Sequence, residues 1–65
     1  MTIDDALEKW IVENCDEVND AMRNDPPILP GWFGVSNNDG IIAYFNTEAA
    51  AFRHRLAEIN RELNP

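Results

Sequence analysis

Basic residues are scarce in this 65-residue chain: five Lys and Arg stand against 12 Asp and Glu, for a formal net charge of -7 at pH 7. A direct grip on DNA or RNA needs clustered Lys and Arg to displace counterions, so the deficit argues against it. A single cysteine, Cys15, excludes an internal disulfide and a multi-cysteine zinc site. No apolar run approaches the roughly 18 residues of a membrane span. The first twenty residues carry Asp4, Asp5, Glu8 and Glu13, the wrong chemistry for a signal or transit peptide, so a cytoplasmic location is expected. Only three glycines occur, and they are too dispersed for a phosphate-binding loop. What remains is ordinary for a folded protein, with 45% apolar and 26% charged residues. A single domain over residues 1–65 is expected.

The charge is concentrated at one end. Residues 1–25 contain eight acids and two bases, residues 26–46 contain only Asp39, and residues 47–65 are balanced. Ile3, Leu7, Trp10, Ile11, Val18, Ala21 and Met22 recur at three- and four-residue steps, which predicts a helix over about residues 3–23. Thr2 and Asp5 form a capping-box pattern at its start. Asp25-Pro26-Pro27 would end it. On such a helix Glu13, Asp16, Glu17 and Asp20 lie on the face opposite the apolar stripe, and Asn14 falls inside the stripe as a candidate buried hydrogen-bonding group. Asp16, Glu17 and Asp20 would crowd its C-terminal half, where the helix dipole disfavours each acid by about 0.3–1 kcal/mol. A local rule broken without visible compensation marks a candidate docking surface for a basic partner.

Residues 25–31 read as a stiff proline-rich linker. Trp32–Ser36 and Ile41–Phe45 are aromatic and β-branched runs around Asn37-Asn38-Asp39-Gly40, predicting a β-hairpin over residues 32–45. A three-residue loop with a bulge at Gly40 would gather Phe33, Val35, Ile41, Ala43 and Phe45 on one face. Trp32, Ile42 and Tyr44 would then stand on the other. The turn resembles part of a calcium loop, but Val35 and Asn46 occupy the positions where that loop needs Asp and Glu.

The spacing of Ala49, Phe52, Leu56, Ile59 and Leu63 steps by 3, 4, 3 and 4, predicting a second helix over about residues 47–63 with a narrow apolar seam. The expected fold is therefore α+β, a small α-β-β-α domain with two helices packed on one face of an antiparallel hairpin. A bare two-stranded sheet is marginal in water. Homo-oligomerisation through Trp32, Ile42 and Tyr44, or through the helix seam, would extend and shield it.

Chemistry is limited by inventory. Nucleophilic catalysis needs a nucleophile beside a base. Cys15 sits at the margin of the apolar stripe as a buried thiol, and His54 is expected on an exposed helix face beside Glu58 and Arg61. Acids on one convex helix splay outward and cannot wrap a cation with six oxygens. No catalytic, cofactor or metal site is expected. Two readings follow. The first is a small acidic non-catalytic protein, an adaptor, regulator or inhibitor, whose face of Glu13, Asp16, Glu17 and Asp20 meets a protein with a basic surface and in its sharpest form imitates nucleic-acid charge. The alternative is a self-associating module that dimerises through the hairpin or the C-terminal helix.

Overall fold

The capping box at Thr2 forms as its residues predict. Thr2 N–H donates to Asp5 Oδ2 at 3.2 Å and Asp5 N–H to Thr2 Oγ1 at 3.1 Å. The helix it starts is short. The computed structural model describes residues 1–65 as α1 (Ile3–Lys9), β1 (Ile11–Asn14), α2 (Cys15–Met22), β2 (Phe33–Asn37), β3 (Gly40–Phe45) and α3 (Glu48–Leu63). The fold is α+β, and the single helix expected over residues 3–23 is two helices separated by a strand.

The break has a local cause. Ile11 and Val12 are β-branched and lose side-chain freedom in a helix. Asn14 is a poor interior helical residue and a strong cap. Its side chain accepts from Asp16 N–H at 2.9 Å and from Glu17 N–H at 3.3 Å, so Asn14 is the N-cap of α2 and not a buried group within a longer helix. α2 ends at Met22 with Arg23 left-handed at φ 54°, close to the boundary that the prolines imply.

β1 pairs antiparallel with β2, and β2 with β3, giving a three-stranded sheet in the order β1-β2-β3. The added strand gives the hairpin the third member that a stable sheet requires. Val12 lies opposite Val35, Val35 opposite Ala43, and Phe33 opposite both Asn14 and Phe45. Side chains alternate across a sheet, so Val12, Phe33, Val35, Ala43 and Phe45 share one face. α1 and α3 cover that face. The core consists of Ala6, Trp10, Val35, Ala51 and Ile59, with Val12, Phe33, Phe45 and Leu63 packed against it.

The hairpin departs from expectation at one position. Asn37 pairs with Gly40 and Ser36 with Ile41, and the register then shifts so that Val35 meets Ala43. The extra residue is Ile42, so the bulge sits two residues beyond Gly40. Ala43 and Phe45 keep the expected face, whereas Ile41 turns to the other one. There it lies over Gly34, where a Cβ would come within 2.8 Å of Ile41 Cγ2.

α3 is rotated about a quarter turn from the expected orientation. Ala51, Glu58 and Ile59 are its buried residues, while Phe52 and Leu56 of the apolar seam are 44% and 58% exposed. The rotation brings polar side chains inward to hold α1. Arg55 Nε donates to Trp10 O at 2.6 Å and Arg55 Nη2 to Leu7 O at 3.1 Å. These bonds satisfy carbonyls that the end of α1 leaves open. Lys9 Nζ and Glu62 form an ion pair between the same two helices.

Candidate functional site

The acids expected on one helix face are distributed over two elements. Glu13 lies in β1 opposite Gly34 and is half-buried. Asp16 and Glu17 occupy the first turn of α2, where exposed N–H groups and the helix dipole favour negative charge. Splitting the helix thus removes the electrostatic oddity at these two residues. Asp20 alone remains near a helix C-terminus. Asp16 also has a structural partner, since its Oδ1 accepts from Gly31 N–H at 2.8 Å. Glu13 and Glu17 border one depression beyond β1 together with Val12, Asn14, Val18 and Ala21. Glu17 and Asp20 are exposed and make no side-chain hydrogen bond or ion pair within the chain.

The linker does not run straight. The Asp25–Pro26 peptide is cis, Leu29 has φ 46° and Gly31 φ 83°. The loop folds back onto α2 because Asn19 holds it. Asn19 Nδ2 donates to Ile28 O at 2.8 Å, and Asn19 Oδ1 accepts from Ile28 N–H and Asn24 Nδ2, both at 3.0 Å. Asn19 is 6% exposed. Its polar atoms are taken up by the loop, as buried polar groups require.

Between this loop, α2 and β3 lies a groove of about 220 Å³ on the sheet face opposite the core, lined by Cys15, Val18, Met22, Ile28, Ile41 and Tyr44 together with Asn19 and Asn24. Its wall is apolar apart from the two asparagines, and Asn19 is already bonded at both its Oδ1 and its Nδ2. Trp32, Ile42 and Tyr44 are exposed, as the sequence implies, at 37%, 47% and 43%.

Cys15 is buried, and burial raises its thiol above the ordinary value of 9.0, with Asp16 and Glu13 pushing in the same direction. Such a thiol is a poor nucleophile at neutral pH. His54 is half-buried and not fully exposed. Its ring lies 5.1 Å from that of Phe45, and its Nε2 is 3.7 Å from Glu58 Oε1. Glu58, expected on the surface, is buried and paired with Arg61. Cys15 borders the groove on one side of the sheet and His54 packs against Phe45 on the other, so the two cannot act together. No three His, Cys, Asp or Glu side chains gather as metal ligands, and no helix is long and apolar enough to cross a membrane.

Asn19 and Arg55 organise the loop and the α1–α3 contact, and periodicity gives no signal for either. The split at Asn14 did carry a signal. Asn14-x-x-Glu17 is a helix-start pattern, with a capping residue followed three positions later by Glu. No protein-family model, curated protein or solved structure matches this chain.

Proposed function

We propose that this protein acts by binding another protein and not by catalysis. The observation that carries the reading is the imbalance of its apolar surface. Six apolar residues are buried, whereas eleven large ones are exposed: Met1, Ile3, Leu7, Ile11, Met22, Ile28, Trp32, Ile42, Tyr44, Phe52 and Leu56. Scattered exposed apolar residues are ordinary, but here they outnumber the core. Ile3 and Leu7 are spaced i,i+4 on α1, and Phe52 and Leu56 are spaced i,i+4 on α3, so each pair shares a helix face. These two helices are tied to each other by Arg55 and by the Lys9–Glu62 pair.

The net charge of -7 favours a partner with a basic surface and would speed the encounter. Among Glu13, Asp16, Glu17 and Asp20, Asp16 is bonded to Gly31 and Glu13 is half-buried, so the exposed and unbonded Glu17 and Asp20 are the acids we assign to the partner. Imitation of nucleic-acid charge draws less support, because it relied on four acids repeating along one helix and Glu13 belongs to a strand. A self-associating module remains the second reading, favoured by the open edge of β3.

Affinity capture with the immobilised full chain tests the proposal. Phe52→Ser with Leu56→Ser should lose the captured protein, and Glu17→Gln with Asp20→Asn should weaken its capture and flatten its salt dependence. Capture that survives all four substitutions, or no capture at all, would overturn the assignment.

A further inference from the structure

The two edges of the sheet are built differently. β1 is four residues long, contains Glu13, and is framed at both ends: Trp10 O is taken by Arg55, and Asn14 caps α2. Short, charged edges resist pairing with other chains. β3 is six residues long, Gly40-Ile41-Ile42-Ala43-Tyr44-Phe45, with no charge and no proline. It has β2 on one side only, and no hydrogen bond from beyond that ladder reaches the backbone of residues 40–45. A strand of this kind is a template for another strand.

We propose that β3 pairs antiparallel with β3 of a second copy, joining two sheets into one of six strands around a two-fold axis. Three features favour a second copy as the occupant. Two identical strands paired antiparallel are self-complementary, each residue meeting its counterpart by symmetry. Two chains at -7 each repel least where charge is sparse, and residues 26–46 contain Asp39 alone, at the hairpin tip. The chain also buries only ten of 65 residues and is elongated for its size. Its radius of gyration is 12.6 Å, against roughly 11 Å for a compact domain of this length.

The side chains agree with the backbone. A two-fold axis normal to the sheet places both α2 helices on one face and both α1–α3 pairs on the other. The two grooves then flank the axis, and Met22 and Ile28, 70% and 58% exposed in one chain, gain apolar neighbours beside Tyr44. Strand addition of this type draws affinity from main-chain hydrogen bonds and specificity from the flanking side chains.

Sedimentation equilibrium of the full chain tests this inference independently of any capture result. The expected mass at high concentration is twice 7.4 kDa. Ile42→Lys with Tyr44→Lys should return it to 7.4 kDa with unchanged far-UV circular dichroism. Those two lysines move the net charge from -7 to -5, so a loss of pairing cannot come from greater net repulsion between copies and reports the local contact at β3. Phe52→Lys with Leu56→Lys should leave the mass doubled. A chain that stays at 7.4 kDa throughout, or a doubled mass that survives the β3 lysines, overturns the proposal. Hydrogen exchange of the unaltered chain supplies a check that needs no variant. β3 amides should gain protection as protein concentration rises, and protection that does not change with concentration counts against the pairing.

Discussion

Asn19 shows how one amide can define a loop. With both polar ends bonded to Ile28 and Asn24, it substitutes for the secondary structure that the prolines forbid. Asn19→Leu would strand the N–H and C=O of Ile28, and the expected loss is about 2–3 kcal/mol, read as a lower denaturant midpoint. Asn19→Asp should also destabilise, because it puts a carboxylate where a donor to Ile28 O is needed. Glu62 carries a pH dependence. Its hydrogen bond from Lys9 holds the carboxyl below the ordinary value of 4.5, and the Trp10 indole N–H beside it acts in the same direction. A depressed value means that the folded state favours the charged form. This contribution is therefore complete above about pH 4.5 and disappears as pH falls through the lower folded value. Asp5 shifts the same way because of its Thr2 bonds. Thermal melts of Glu62→Gln should show lower stability at pH 7 and a gap to the parent chain that closes as pH falls below 4.5. A gap independent of pH would assign the loss to packing.

Among the elements, the hairpin and the last helix were legible in the sequence, because β-branched runs around Asn-Asn-Asp-Gly and a capped apolar repeat are strong local signals. The first helix was misread for a physical reason. Trp10, Ile11 and Val12 are apolar in either a helix or a strand, and over so short a run the two periods cannot be told apart. The deciding residue was Asn14, whose cap competes with helix continuation. Asn14→Ala removes an acceptor for two N–H groups and should cost about 1 kcal/mol, or roughly 4–8 °C in Tm for a domain of this size. Asn14→Ser should recover most of that loss, and an unchanged Tm in the alanine variant would mean that β1 alone fixes the start of α2. The orientation of α3 was illegible because its apolar seam is real but faces water at Phe52 and Leu56. Long-range bonds from Arg55 and Glu62 turned the helix, and no pattern within α3 encodes partners more than forty residues away.

At the scale of the whole molecule, the candidate site was only partly visible. The acidic excess of the first third is evident in composition, but the sheet divides it, giving Asp16 and Glu17 favourable places at a helix start and leaving Glu17 and Asp20 unpaired. Exposure at Trp32 and Tyr44 was expected and is found, whereas Ile42 is exposed as the extra residue of the bulge. An open edge on β3 also followed from the bare hairpin, whereas the closing of the β2 edge did not, because it depends on β1 joining the sheet. With ten of 65 residues buried, the chain has little core to spare. Small domains of this kind gain from a staple, and the proposed second copy would be one.

On the proposed pairing, the unequal edges also fix where assembly stops. Each chain offers one long, uncharged edge strand, so its valence in that pairing is one. Joining two copies consumes both and leaves β1 at each margin, short, acidic and held by Arg55 and Asn14. Addition through β3 would then end at two, without the repeating contact from which a filament grows.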